Sequence, residues 1–509
     1  MRAFIDSFLN RTTMYRLVVC VLLGLVVVAM ALGALKLLPY SPLMLAFSLL
    51  LITALCVVGN VIFARIFRVP ANGESLYISA FILVLIITPP RSLFDGQFLE
   101  IAVWASLIAM TSKFIFAIGK KHVFNPVAFG VAVTSVTLNQ SASWWVATQW
   151  MMPFVLIGGI LIVWKIRRFP LVIAFFIAAL VSIFGAKLAT PLLLPAMFWK
   201  VLMTTPLLFF AFVMLTEPLT TPPTQELQMA YGALAGFLFA PWIHVGSFYF
   251  TPEIALLVAN VFSYVVSPKQ KLLLKLREKR LVASDVYDFR FVADKKLPFR
   301  AGQYLEWTLG LAHPDSRGNR RYFTVSSSPT ERTVDIGVKF DPKSSAFKKR
   351  LLAMRPGDTV VASQLAGDFT MPRDTAKKLV FVAGGIGVTP FRSMIKFLVD
   401  MDEKRDVVLL YSNRAKDCIA YADIFDEAEK KLGIRTVYTL TDQKAALQDW
   451  KGYTGYIDRP MIEKEIPDYL EREFYLSGPR SMIIAFEKTL YAMGVSRTQI
   501  RKDFFPGFA

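Results

Sequence analysis

Four short stretches in the second half of this 509-residue chain carry side chains suited to holding nucleotides. In "RYFTVSSSP" the residues Arg321, Phe323 and Thr324 come at strand spacing, so Arg321 and Phe323 share a face while Thr324 points away or bends into a site. A guanidinium can take a phosphate, an aromatic ring can cover a flavin, and a hydroxyl can bond the ring nitrogen that accepts hydride. An ordinary Thr/Ser-rich strand fits the same letters. "KSSAFKKRLLAMRPGD" opens a helical pattern with small residues, and amides exposed at a helix start suit a pyrophosphate. In "KKLVFVAGGIGVTPFRSMIKFLV" the glycines Gly384, Gly385 and Gly387 join strand to helix, where they admit phosphates to the backbone or simply make a tight turn. "LSGP", with Ser477, Gly478 and Pro479, falls at the same edge. Arg414 and Lys416 follow a strand end where a ribose 2′-phosphate can sit, but two cations equally suit a solvated loop.

The elements that must position these groups change character along the chain. From Leu281 to about Thr375 short alternating strands with Gly/Pro turns predict a small antiparallel β-barrel. From Ala376 the strands "VVLLYSN", "RTVYTLT" and "EFYLSG" alternate with helical segments, which predicts an open α/β sheet with ligands beyond the carboxyl ends of its strands.

Taken in order, RYFTVSS, SSAFK, GGIGVTP, SGP and the terminal "KDFFPGFA" resemble the ferredoxin–NADP reductase superfamily along this whole half. The resemblance implies FAD and NADH or NADPH as cofactors. It matches Arg321, Phe323, Thr324 and Ser327 to the flavin motif Arg-x-Tyr-Ser-x-x-Ser, with Phe and Thr as replacements. It matches Ser345, Ala346 and Phe347 to the segment on the FAD pyrophosphate, and Gly384 to Pro390, Thr389 included, to the NAD(P)H turn. Ser477 stands where the family usually has Cys beside the nicotinamide, and Phe508 matches the terminal aromatic that shields the flavin.

The first half is a different kind of chain. Overall, 55% of residues are hydrophobic and only 19% charged, too apolar for a protein wholly in water. Residues 1–267 carry 15 Lys and Arg against 7 Asp and Glu, and those cations lie between apolar runs, a pattern of membrane orientation rather than nucleic-acid binding. Ten spans are expected, centred near Val27, Leu51, Ile82, Ser106, Val133, Ile157, Phe175, Leu208, Leu234 and Val258. The clusters Arg65/Arg68, Lys120/Lys121, Lys165/Arg167/Arg168 and Lys269/Lys271 then fall on one face, the cytosol, together with both termini and the second half. No cleavable signal peptide is expected. The expected location is the cell (inner) membrane.

The ten spans also look like five repeated with inverted topology. The third ends at Thr88 in "FILVLIITPPRS" and the eighth at Thr216 in "FFAFVMLTEPLT"; the fifth opens at Asn125 in "VFNPVAFG" and the tenth at Thr251 in "YFTPEIAL". Inverted repeats create polar sites between interrupted helices, although Thr, Asn and Pro also serve as plain helix caps. "KHVFNPVAFG" and "FVMLTEPLTTPP" resemble the flavin-carrying membrane subunits of Rnf-type complexes and sodium-pumping NADH:quinone reductases. That resemblance implies a ten-helix inverted repeat and FMN, commonly esterified to Thr in Ser-Gly-Ala-Thr. The chain has no such tetrapeptide, and the nearest echo, "WWVATQW" with Thr148, lacks the Gly, which speaks against covalent attachment. Asn125, Thr148, Thr216 and Glu217 are the membrane flavin candidates.

Residues 268–280 read as a basic juxtamembrane amphipathic helix, so the expected division is 1–267 membrane, 268–280 linker, 281–375 FAD barrel and 376–509 NAD(P)H domain. Cys20, Cys56 and Cys418 have no iron–sulfur spacing, and His122, His244 and His313 are too few for paired haem ligation, so no metal, haem or cluster is expected. The expected function is a polytopic membrane oxidoreductase that takes hydride from NAD(P)H onto FAD. Electrons then go to a membrane-held flavin and on to a quinone or an extracytoplasmic redox protein, with membrane lipid as the other partner. The alternatives are an anchored reductase serving soluble acceptors and a redox-coupled ion or solute transporter.

Overall fold

A computed structural model describes residues 9, 12–67, 73–118, 121–185, 194–267, 271–311, 315, 318–342, 344–442 and 450–503. The chain divides into two compact units, Met1–Gln270 and Lys271–Ala509.

The first unit is helical, and several of its helices begin where a small polar residue or proline satisfies or dispenses with a free amide. Thr13 caps α1 (Met14–Ala34), and Ser41 caps α2 (Pro42–Ile66), which has Pro42 in its first turn. Next come α3 (Gly73–Ile86) and α4 (Gly96–Ile115), the latter capped by Asp95. A hairpin of β1 (Ala117–Ile118) and β2 (Lys121–His122) leads into α5 (Pro126–Thr137), whose cap is Asn125. Then follow α6 (Met152–Ile166), α7 (Phe169–Gly185) and α8 (Leu194–Thr204). After Pro206 the chain resumes as the single turn α9 (Leu207–Phe209) and a π-helical stretch, Phe210–Met214, a rare geometry frequent at functional sites. Beyond Thr216 and Glu217 lie α10 (Gln225–Leu238), a second hairpin of β3 (His244–Val245) and β4 (Phe248–Tyr249), and α11 (Pro252–Val266).

Every expected span centre falls inside a helix or the π-stretch. Among the described residues, three helices, α1, α2 and α4, are long and apolar enough to cross a membrane; α3, α5, α6, α7 and α11 are apolar but shorter. Leu50, Ile157, Ile177 and Val181 are 60–71% exposed on helix surfaces. Close packing recurs between the two halves of this unit. A methyl group at Gly59 would stand 3.2 Å from Met110, joining α2 to α4, and one at Gly232 or Gly236 would stand 2.4 or 2.3 Å from the carbonyls of Leu171 and Phe175, joining α10 to α7. Each half also places a two-residue-strand hairpin just before the helix that opens with Pro126 or Pro252.

The second unit starts earlier than its sequence suggests. The segment expected as a juxtamembrane helix is β5 (Leu272–Ala283). Leu272, Leu274 and Leu276 are buried while Leu273, Lys275 and Arg277 point outward, a period of two that no helix shares. It is therefore the first barrel strand, not a linker. With β6 (Val286–Ala293), β7 (Tyr304–Thr308), β8 (Arg320–Thr324), β9 (Val334–Lys339) and β10 (Thr359–Ala366) it forms one antiparallel sheet, ordered β8-β7-β10-β5-β6-β9. Trp307, Phe289, Phe291 and Phe347, the last on α12 (Ala346–Leu352), fill its core.

The second sheet is all parallel, in the order β14-β13-β12-β11-β15-β16. Its strands are β11 (Leu379–Gly384), β12 (Val407–Asn413), β13 (Arg435–Leu440), β14 (Tyr453–Thr454), β15 (Glu473–Ser477) and β16 (Ile500–Asp503). β11 and β12 are buried along their length, as a central parallel strand covered on both faces must be. The helices are α13 (Thr389–Met401), α14 (Ala422–Leu432), α15 (Arg459–Glu465) and α16 (Arg480–Ala492). The chain runs outward from β11 through β12 to β14, then returns to lay β15 against the other side of β11, so the order reverses between β11 and β15. A crevice at such a reversal is where open α/β sheets bind ligands.

Candidate functional site

The carboxyl ends of β11 and β15 carry the two glycine turns and bring them into contact. Ala383 pairs with Ser477 in the sheet, and a methyl group at Gly387 would stand 2.5 Å from Ser477 O and 2.6 Å from both N and Cα of Gly478. Gly385 has φ +52°, a left-handed backbone that favours glycine. Thr389 and Pro390 form the first turn of α13, with Thr389 Oγ1 donating to Ile386 O at 3.2 Å, and Pro479 precedes α16. Ser477 is fully buried, and its Oγ has no hydrogen-bond partner among the described residues.

A second constellation lies on β8 and α12. The Arg321 guanidinium is 5.3 Å above the Phe347 ring, and Phe323 tilts against the same ring at 5.9 Å. Ser345 caps α12 through Lys348 N at 3.3 Å. Asp315 ties the group together, with one oxygen 3.5 Å from Arg321 Nη2 and the other accepting Ala346 N–H at 3.0 Å. A carboxylate thus sits on two donors that suit a phosphate. Thr324, next along β8, is 3% exposed, and its Oγ1 has no hydrogen-bond partner among the described residues. Two buried hydroxyls without partners among the described residues, Thr324 and Ser477, thus accompany a glycine cradle and an Arg–amide pair, groups of the kind that take phosphates.

Other candidates are placed differently. Ser327 is fully buried with its Oγ accepting Asp335 N–H at 3.0 Å, so that hydroxyl is spent inside the barrel. Arg414 is 81% exposed, 3.8 Å from Asp442. Phe508 lies outside the described residues.

Sequence reasoning missed a buried ionic cluster between the barrel and the second sheet. Asp288 on β6 accepts Tyr421 O–H at 2.8 Å and Ser326 O–H at 3.4 Å, and Arg290 reaches Asp288 at 3.4 Å and Asp335 at 3.6 Å. Burial, reinforced by the neighbouring Asp288 charge, pushes the Asp335 carboxyl up to about 7; burial also raises Asp288, against the pull of Arg392. A cavity of about 330 Å³ opens beside them, lined in part by Arg280, Arg290, Arg392, Asp288 and Tyr421. The available signal was an acid inside the otherwise apolar strand "VYDFRFV".

In the first unit, three of the four membrane candidates come together. Asn125 Nδ2 donates to Glu217 Oε2 at 2.8 Å while its Oδ1 caps α5 through Ala128 N at 3.0 Å. Asn260 on α11 accepts Asn125 N–H at 2.8 Å and donates to Tyr231 Oη at 2.9 Å, and Thr220 Oγ1 lies 3.3 Å from Glu217 Oε2. Thr216 precedes Glu217, with its hydroxyl turned back onto Phe212 O at 2.7 Å. Thr148 lies in the loop before α6, its Oγ1 buried without a hydrogen-bond partner among the described residues, and no described contact joins it to this cluster. Asn260 and Tyr231 had not been singled out, because helix-facing Asn and Tyr in apolar runs carry no motif.

Comparison with known proteins first gives a class. Residues 381–488 match the family model described as "Oxidoreductase NAD-binding domain". Particular relatives extend it over the barrel. The glycine betaine monooxygenase reductase subunit of Pseudomonas aeruginosa is 26% identical over 224 residues, 43% of this chain and 60% of the relative. A flavohemoprotein of Bacillus subtilis is 28% identical over 215 residues, 42% of this chain and 53% of the relative. Among solved structures, the FAD/NAD-binding domain of nitric oxide dioxygenase from Vibrio cholerae is 22% identical, with a TM-score of 0.41, over 46% of this chain and 98% of that one. The chain spans about half to two thirds of the length of the curated relatives it matches. The second unit thus contains an oxidoreductase NAD-binding domain and is similar over its barrel to reductase proteins.

Proposed function

We propose that the chain is a membrane-bound, FAD-dependent NAD(P)H oxidoreductase that passes electrons to a flavin held among its apolar helices, and from there to a quinone or an extracytoplasmic redox protein. FAD, when bound, takes a pair of electrons as hydride from the nicotinamide and can release them singly. The chain's own residues bind and orient. Arg321 and the Ala346 amide hold the FAD phosphates, Phe323 covers the ring, and Thr324 offers its unpartnered hydroxyl to the ring edge. Gly384, Gly385 and Gly387 admit the dinucleotide phosphates, and Ser477 with Gly478 lines the nicotinamide place. The nucleotide is NADH or NADPH, with the exposed Arg414 at the strand end where a ribose 2′-phosphate would sit.

One observation carries the membrane part: the same chain joins this unit to helices whose interior buries a polar cluster of Asn125, Asn260 and Tyr231, with Glu217 half-buried against Asn125. Polar groups are expensive among apolar helices and mark functional sites there. The paired hairpins before Pro126 and Pro252, and the recurring α2–α4 and α7–α10 packing, support the inverted repeat, and with it the resemblance to the flavin-carrying membrane subunits. The cluster suits a noncovalently held FMN, with Asn125 and Glu217 as its polar contacts.

The test is a flavin count on purified full-length protein, followed by anaerobic addition of NADH or NADPH. The expected result is one FAD and a second flavin per chain, both reduced. A single flavin per chain would falsify the membrane step. The relatives' description as monooxygenase reductase subunits favours a second reading, an anchored reductase serving soluble acceptors. Faster turnover with a soluble one-electron acceptor than with a quinone, using the full chain in detergent, would select it.

A further inference from the structure

One helix touches both halves of the nucleotide site. α13 begins at Thr389, directly on the glycine turn, and one turn later presents Arg392 and Ser393, both buried, to the loop that continues β8 beyond Thr324. Arg392 Nη1 donates to Ser326 O at 2.9 Å, and Ser393 Oγ donates to Ser327 O at 2.6 Å. Both arms of the same guanidinium also reach Glu331, Nη2 to Oε1 at 3.0 Å, and Glu331 Oε2 accepts Ser328 N–H at 2.6 Å. Residues 326 to 328 are therefore held at three successive backbone groups.

The guanidinium is itself held in place. It lies 5.7 Å above the Tyr421 ring, and the Tyr421 hydroxyl donates to Asp288, which also accepts from Ser326. Tyr421 takes a left-handed φ of 61°, unusual for a bulky residue. Room for its hydroxyl exists because residue 337 is glycine: a methyl group there would stand 2.4 Å from Tyr421 Oη and 2.8 Å from Thr389 Cγ2. A fully buried Arg with a bidentate carboxylate costs much desolvation for little net stability, so a stability role alone explains it poorly.

We propose that Arg392, assisted by Ser393, is a positioning residue for hydride transfer, fixing the flavin-facing Thr324 at a set distance from the dinucleotide turn on the same helix. The inference rests on NAD(P)H-to-FAD transfer within this unit. Transfer depends on near-attack geometry, where an error of about 1 Å costs about a hundredfold in rate. Lys at 392 keeps the charge but loses the fork that reaches Ser326 and Glu331 together.

The experiment compares full-length, FAD-loaded wild type, R392K and S393A by anaerobic stopped flow with NADH and with NADPH. It follows the limiting rate of flavin reduction, the nucleotide Kd and the long-wavelength charge-transfer absorbance that reports ring-on-ring stacking. For R392K the limiting rate should fall about tenfold or more and the charge-transfer band weaken, with FAD content and Kd within about threefold of wild type. S393A, a milder change that keeps the guanidinium, should show the same split with a smaller loss. An unchanged rate and band in both variants overturns the proposal, as does a rate that falls only in proportion to lost FAD. Wild-type flavin left oxidised by both nucleotides would instead refute the transfer reading on which the proposal depends.

Discussion

Gly387 offers the sharpest perturbation of the nucleotide site. Its backbone is not left-handed, so alanine there meets a purely steric objection. The new Cβ would stand 2.5 Å from Ser477 O and 2.6 Å from Gly478 N and Cα, where ordinary contact begins at 3.4 Å. All three neighbours are backbone in a turn fixed between β15 and α16, so no side-chain rotation relieves the clash. The two turns must part by most of an ångström. Overpacking of this kind costs about 1–3 kcal/mol of stability. A displacement of that size between bound rings costs roughly a hundredfold in transfer rate, or about 2.7 kcal/mol of barrier. Anaerobic stopped flow of G387A with saturating NADH or NADPH, with calorimetry alongside, measures both. The control is G433A: Gly433 has φ +73° at the end of α14 with open space around it, so alanine there costs about 1 kcal/mol in backbone strain without touching the turns. G387A reducing its flavin within about twofold of wild type, at an unchanged Tm, would show that the contact between the turns does not set the geometry of transfer.

Further outcomes follow from single side chains. D315N should tighten FAD binding about fivefold, measured by titrating the apoprotein, because it removes a carboxylate competing with phosphate for Arg321 and the Ala346 amide, a competition worth about 1 kcal/mol when part-exposed. S477A should leave Tm within about 0.5 kcal/mol equivalent, since the hydroxyl it deletes has no partner, yet slow flavin reduction if that hydroxyl meets the nicotinamide. The Asp335 carboxyl holds its proton to about pH 7 when folded and to about pH 4 when unfolded, so its contribution is fully present below about pH 4 and is lost progressively as pH rises from 4 through 7. Denaturant titrations should therefore show D335N gaining on wild type by on the order of 1 kcal/mol per pH unit from about pH 4 to 7 and levelling off above, and parallel curves over that window would refute it. N125A removes a helix cap worth about 1 kcal/mol and leaves Glu217 without its amide donor, at a further cost of about 1–3 kcal/mol, so Tm and the content of the second flavin should fall together.

The sequence was legible wherever a single period ran uninterrupted. Apolar runs longer than a dozen residues located the helices of the first unit, and the step from alternating strands to strand–turn–helix located the two sheets of the second. It misled at Leu272–Ala283, where three consecutive leucines mask an inside–outside alternation and Lys, Arg and Leu mimic an amphipathic helix. Pairing decided the matter: Leu273 and Leu274 are claimed by β10 on one side and Leu274 and Lys275 by β6 on the other, partners that no local window contains. The site divides along the same line. Groups contributed by one turn or strand, such as Gly384–Gly387 or Arg321–Thr324, were picked out by local spacing, and the family resemblance supplied their roles. Groups whose meaning is a partner far along the chain could not: Asn125 waits on Asn260, 135 residues away, Asp288 on Tyr421, 133 away, and Arg392 on Ser326, 66 away. In each case the chemistry needed is a buried donor facing a buried acceptor, and burial is a property of the assembled sheets and helices rather than of any stretch of letters. The residues most open to revision by experiment are thus those the fold alone brings together, which is why Arg392 and Asn125 carry the tests above.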